Sequence, residues 1–281
     1  MLDVSLSELV LIVGGLIAAG AFTGLLAGVF GVGGGAVLVP ILYEFFRMFE
    51  VPDEVRMPLC VGTSLAIIIP TSILSFRAHR KRGAVDFSIL QSWAVPVVLG
   101  VIVGGAIARY APENLFKLVF IAVASVSAIK LLFGRDSWRL ASELPGAFIM
   151  RLYGGMIGVL SALMGIGGGQ LSSLFMTFYG QSIHRAVATS SGLGPLIAIP
   201  GALSYMAAGW GKSSQYGDVA LLQWPYSIGY VSLVGLILVF PASSLAAPWG
   251  ARMAHAMSKR KLEISFGIFL LVVALRFVIS L

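Results

Sequence analysis

Two stretches of the 281-residue sequence place residue types that can bind an anion at a fixed spacing. Residues 20–35 read GAFTGLLAGVFGVGGG and residues 154–169 read GGMIGVLSALMGIGGG, so Gly33, Gly34 and Gly35 recur as Gly167, Gly168 and Gly169 at an offset of 134. Consecutive glycines break a helix, and a helix restarting behind them offers unpaired backbone N–H groups and about half a positive charge. Such an end binds anions. A Thr-Ser pair follows each cluster, Thr63-Ser64 and Thr189-Ser190. Hydroxyls donate to anion oxygens without the cost of a buried charge. The residue just after each cluster is Ala36 in one copy and Gln170 in the other, which makes Gln170 an asymmetric donor. The candidate substrate site is therefore Gly33, Gly34, Gly35, Ala36, Thr63 and Ser64 with Gly167, Gly168, Gly169, Gln170, Thr189 and Ser190.

Other readings of these residues are weaker. Gly31-x-Gly33-x-x-Ala36 satisfies a relaxed dinucleotide fingerprint, with Glu50 near the acidic position, but that motif needs a preceding strand and an apolar helical run stands there. Gly20, Gly24 and Gly28 recur every fourth residue and read as a helix-packing stripe. Membrane Ser and Thr often bond back to their own helix, so the hydroxyl reading rests on recurrence in both copies. His79, His184 and His255 lie in or near loops without metal-site spacing, and no Gly-x-Ser-x-Gly or His-Glu-x-x-His motif occurs. Neither an enzyme nor a cofactor or metal is expected. Glu44, Asp86, Lys117, Lys130, Arg185, Glu263 and Arg276 all fall toward the ends of apolar runs, which argues against a cation pump with a buried carboxylate. A coupled proton would travel on the substrate or through Asp86, His79 or water. Trp93 and Gln91 sit near a proline-containing run and read as packing or interface residues.

The elements that must hold these residues are set by composition. The chain is 58% hydrophobic and 11% charged, against roughly 25% charged in an average soluble domain, and its mean hydropathy is +0.96. There is too little polar surface for a soluble protein of this size and no collagen-like or disordered tract. The expected fold is an all-α polytopic membrane protein of two repeats, residues 1–140 and 145–281. Each repeat is a glycine-broken hairpin (about 8–30 and 36–47; 148–164 and 170–180) followed by three spans. Those spans are expected at about 57–76, 88–108 and 114–134, then 185–208, 225–247 and 262–280. The second legs of the hairpins are too short to cross a core of about 30 Å.

Charge sets the orientation and removes the need for a nucleic-acid partner. The linker Arg77-Ala-His-Arg-Lys-Arg82 is basic, whereas its equivalent at 209–224 holds only Lys212 and Asp218; the last linkers of the two halves reverse this bias. Equivalent loops of opposite bias imply inverted halves. With both termini on the non-cytoplasmic side, 13 of the 19 Lys/Arg and 4 of the 12 Asp/Glu fall on the cytoplasmic side. Glu50, Asp53 and Glu54, with Trp210 and Trp224, then lie outside. The +7 net charge is a topological surplus. Cys60 is single, which excludes an intrachain disulfide, and the start MLDVSLSEL has no basic segment of a cleavable signal. Inverted repeats with paired broken helices are the architecture of secondary transporters, and two helix starts meeting near the midplane would hold a small anion.

The Gly-hydrophobic-Gly-Gly-Gly turn, Pro40 shortly after it, and Thr-Ser in the next span resemble the sulfite exporter TauE/SafE family. The stretch His79-x-x-x-Gly83-x-Val85-Asp86 is similar to a loop of that family. The resemblance covers nearly the whole chain. It implies a secondary carrier in the cytoplasmic membrane for sulfur oxyanions and organosulfonates such as sulfite, thiosulfate, taurine or sulfoacetate, with the lipid bilayer as its surroundings. The second half departs from the pattern, with Leu174 at the proline offset and no His-x-x-x-Gly loop, so any gating role of those elements is asymmetric. An anion channel of the same fold, or a carrier of carboxylates or other oxyanions, remains open to the same donors.

Overall fold

The computed structural model describes residues 6–30, 34–48, 50–134, 141, 143–210 and 227–281. Within them the chain forms ten α-helices and one short hairpin. The first half contributes α1 (Leu6–Phe30), α2 (Gly35–Met48), α3 (Asp53–Lys81), α4 (Phe87–Tyr110) and α5 (Glu113–Phe133). The second contributes α6 (Ala147–Met164), α7 (Gly169–Phe178), α8 (Ile183–Gly209), the antiparallel pair β1 (Ser227–Ile228) and β2 (Val231–Ser232), α9 (Leu233–Ala256) and α10 (Lys259–Ile279). The all-α polytopic fold is thus present, and nearly every helix begins and ends where apolar runs and breakers placed it.

Local chemistry fixes the helix ends. Pro52 and Pro112 precede α3 and α5, where a missing N–H costs nothing. Asp86 caps α4 by accepting from Ser88 and Ile89 N–H, and Ser182 and Ser258 cap α8 and α10. Gly165 ends α6 in the left-handed conformation.

Among the described residues six helices, α3, α4, α5, α6, α8 and α9, contain stretches long and apolar enough to cross a membrane. At 1.5 Å per residue the 14-residue α2 and 10-residue α7 reach about 21 Å and about 15 Å, short of a core of about 30 Å. Val95, Leu99, Ile102, Leu118, Val126 and Ile129 are exposed, an exterior that suits lipid and not water. This is a multi-pass membrane protein.

The most extensive helix contacts are α1 with α9, α4 with α6, α3 with α8 and α5 with α10. Gly20 and Gly24 lie against the Val239 and Ser243 backbone, and Gly154 and Gly158 against Trp93 and Val97, so each stripe of small residues seats the first helix of one half on the fourth helix of the other. Trp93 is fully buried, donates Nε1–H to Met150 C=O at 2.9 Å and packs edge-on against Phe175. The buried cations Arg56 and Lys117 sit at helix ends and are paired, Arg56 with Val51 C=O and Asp53, Lys117 with Glu113 and Ser280 C=O.

One expected span differs. The run 225–247 is not a single helix: α9 starts at Leu233, behind the hairpin. Gly229 turns the chain, and Tyr230, Val231 and Ser232 are buried between α3 and α8. The hairpin is as apolar as a helix, which is why hydropathy merges the two.

Candidate functional site

The two glycine breaks meet. A Cβ on Gly35, the first residue of α2, would stand 2.8 Å from both Gly165 C=O and the Ile166 Cα of the other break. Gly34 and Gly168 occupy corresponding positions and share the left-handed conformation, φ +81° and +71°, which only glycine adopts without strain. The first backbone bonds of α2 run from Val37 and Leu38 N–H to Gly34 C=O, and that of α7 from Ser172 N–H to Gly168 C=O. No side chain caps α7. The N–H groups ahead of these bonds lie at the starts of two helices, where about half a positive charge collects. Gly33 lies outside the described residues. Gly35 and Gly167 share Ile68 as a neighbour, and Ala36, Gly169 and Gln170 belong to the first turns of α2 and α7.

The hydroxyls divide into two groups. Ser64 Oγ donates to Gly165 C=O at 2.7 Å, tying α3 of the first half to the break of the second. Ser190 Oγ bonds back to Ala186 C=O at 2.6 Å and also receives Ser172 Oγ at 2.8 Å and faces Ser173 Oγ at 2.9 Å. Both serines therefore reach the second break. Thr63 and Thr189 turn elsewhere. Thr63 Oγ1 accepts from Ser232 N–H at 3.0 Å, and Thr189 Oγ1 accepts from Asp86 N–H at 3.0 Å. Ser232 and Asp86 are the residues that precede α9 and α4, and each caps its helix with its own side chain, Ser232 Oγ receiving Gly235 N–H. Each threonine is thus fastened to the start of the fourth helix of the opposite half.

These two fastenings have different surroundings. Thr63 and Ser232 are fully buried. Asp86 lines an open groove of about 480 Å³ with Gly83, Ala84, Val85, Phe87, Ser182 and Arg185. Arg185 Nη2 reaches Asp86 Oδ2 at 2.6 Å. Burial would raise the Asp86 carboxyl, but the Ser88 hydroxyl, the Ile89 amide, Arg185 and the Ser88 amide outweigh it and hold it below the ordinary carboxylate value. A second cavity of about 420 Å³, almost wholly apolar, lies between α1, α2 and α10. Neither cavity is lined by the breaks. There the space is filled by aliphatic side chains: Ile68 lies against both Gly35 and Gly167, and the Ile197 δ-methyl covers Gly168.

Three polar residues of this region escape a reading of motifs alone. Ser161, Ser172 and Ser173 are buried around the second break. Ser161 lies within a packing stripe, where serine passes for another small residue. The available signal is alignment of the copies, which sets Ser161, Ser172 and Ser173 against Ala27, Leu38 and Val39.

The family model of the sulfite exporter TauE/SafE proteins matches residues 16–277. The chain belongs to this family. Among its relatives, a probable membrane transporter protein of Haemophilus influenzae is 29% identical over 256 residues, covering 91% of this chain and 94% of the relative. One of Methanocaldococcus jannaschii is 29% identical over 265 residues, 92% of each chain. A third, from Bacillus subtilis, is 27% identical over 223 residues, 73% of this chain and 80% of the relative. No solved structure matches. This TauE/SafE chain is accordingly a membrane transporter.

Proposed function

We propose that this TauE/SafE transporter carries small sulfur-containing anions, sulfite, thiosulfate or organosulfonates such as taurine and sulfoacetate, across the cytoplasmic membrane. It binds and moves a solute without catalysing a reaction. The anion sits where the two glycine breaks meet; its candidate donors are the N–H groups of Gly33–Ala36 and Gly167–Gln170 and the neighbouring hydroxyls. The observation that supports this reading is the approach of Gly35, which opens α2, to the Gly165–Ile166 break ahead of α7, with Gly35 and Gly167 both against Ile68. A sulfite or sulfonate head has several acceptor oxygens and matches neutral donors, which bind specifically and still release.

Alternating access of two inverted halves, residues 1–140 and 145–281, moves the anion. Three features support this. Gly34 and Gly168 share one conformation at the repeat offset. The helix pairings exchange symmetrically, α1 on α9 matching α6 on α4. The Thr63–Ser232 and Thr189–Asp86 contacts are equivalent fastenings on opposite halves. With the termini outside, the buried Thr63 fastening closes the outer route and the Asp86 groove opens toward the cytoplasm. Ile68 and Ile197 fill the site when it is empty and move aside for the anion. A coupled proton reaches the site on the substrate or by way of Asp86 and His79.

The test is flux in proteoliposomes. Saturable uptake of labelled sulfite or thiosulfate, competed by taurine or sulfoacetate and trans-stimulated by internal anion, supports the carrier. Ohmic chloride current would replace it with an anion channel, and uptake confined to carboxylates would replace the substrate class.

A further inference from the structure

The two breaks share a backbone and differ in side chains. At the repeat offset, Ser161, Gln170, Ser172 and Ser173 stand where the first half has Ala27, Ala36, Leu38 and Val39. All four polar residues are at least nine-tenths buried. Ser172 is engaged, its Oγ within 2.6 Å of Gly168 C=O and 2.8 Å of Ser190 Oγ, and Ser173 Oγ pairs with Ser190 Oγ. Ser161 Oγ and Gln170 Oε1 are not: each is buried with no hydrogen-bond partner among the described residues. Native proteins rarely leave such groups unpaired, and the exceptions need a reason.

Both orphans belong to the start of α7. Ser161 Oγ lies 3.4 Å from where a Cβ on Gly168, the N-cap of α7, would stand. The matching position on Gly34 faces the Ala27 methyl at 3.5 Å. Gln170 is the second residue of α7. A half-turn of its terminal torsion presents Nε2 in place of Oε1, so the side chain can donate to an anion at the helix end.

We infer that the anion is bound by the second break alone, with the Ser161 hydroxyl and the Gln170 amide as direct contacts beside the α7 N–H groups. The first break, where the Ala27 methyl faces Gly34, is the apolar wall of the site. Ile197, whose δ-methyl covers Gly168, limits its size. This inference rests on the anion-carrier reading above.

The experiment is binding to the purified full-length protein by calorimetry and thermal shift, using sulfite, thiosulfate, sulfoacetate, taurine and chloride. Ser161→Ala removes an unpaired buried hydroxyl, so the melting temperature of the anion-free protein stays the same or rises. Its affinity for the bound sulfur anion falls about tenfold or more, as expected for a lost hydrogen bond to a charged group. Gln170→Ala, at the open end of a helix, gives a similar fall and serves if Ser161→Ala fails to fold. Moving the hydroxyl to the other break, in Ala27→Ser/Ser161→Ala, does not restore binding. Wild-type affinity in both single variants, or recovery in the transfer variant, overturns the one-sided site while leaving the carrier reading intact. If the wild-type protein binds none of the sulfur anions, the carrier reading fails and this inference falls with it.

Discussion

Gly34 and Gly168 hold nearly the same backbone angles, yet one faces a methyl group and the other a hydroxyl. The same contrast runs through both breaks. At the repeat offset Ala27, Ala36, Leu38 and Val39 stand where the second half has the buried polar residues Ser161, Gln170, Ser172 and Ser173. Two helix starts of like backbone thus carry different side chains, and that difference is what the one-sided site proposed above rests on. The threonine fastenings teach a similar lesson. Identical main-chain bonds to Thr63 and Thr189 lie in a sealed interior on one side and beside an open groove on the other.

Substitution at the paired glycines is the strongest way to break this comparison. Gly34→Ala and Gly168→Ala both place a Cβ in the left-handed region, which costs about 1–2 kcal/mol. Gly168→Ala also drives into Ile197, and overpacking adds about 1–3 kcal/mol. We expect Gly168→Ala to melt lower and to abolish sulfite- or thiosulfate-induced stabilisation, while Gly34→Ala keeps most of it. Equal binding losses would make the breaks equivalent.

The threonines give an intermediate effect. Thr63→Val strands the Ser232 N–H in a fully buried position and should destabilise the protein by about 1–3 kcal/mol in chemical or thermal melts. Thr189→Val frees an amide beside a groove that water can enter, and should cost less than about 1 kcal/mol. Cysteine labelling of the groove at Val85 should rise only in Thr189→Val.

The smallest effect is the one that depends on pH. Because the folded protein holds the Asp86 carboxyl below its ordinary value, the ionised form adds stability above the unfolded value of about 3.9, and that stability is lost as pH falls through the folded value. The melting difference between wild type and Asp86→Asn should be constant above about pH 5 and shrink in more acidic buffer. Arg185→Ala should shift it only slightly, since Arg185 is more than half exposed.

Helix positions were legible in the sequence because membrane spans declare themselves by apolar length and their ends by Gly, Pro, Asp and Ser. Residues 114–134, for example, lie within a residue or so of α5. The hairpin at 227–232 was not legible, because Ile228, Tyr230 and Val231 are as apolar as a span and only Gly229 marks the turn. At the candidate site the glycines and the Ser64 and Ser190 hydroxyls could be read from their recurrence. The bonds from Asp86 to Thr189 and from Ser232 to Thr63 join residues 103 and 169 positions apart, and no local pattern encodes them. Ser161 was hidden for the opposite reason. Its neighbourhood repeats so faithfully that one changed residue looks like noise until its buried oxygen is found without a partner.

The most direct test of the account is a crystal structure grown with selenite, a heavier isostere of sulfite whose anomalous signal locates the anion. A selenium peak is expected at the start of α7, with the selenite oxygens within hydrogen-bond reach of the Gly169 and Gln170 amides and of Ser161 Oγ. A peak confined to the groove at Asp86 and Arg185, or at the start of α2 beside Ala27 and Ala36, would contradict it.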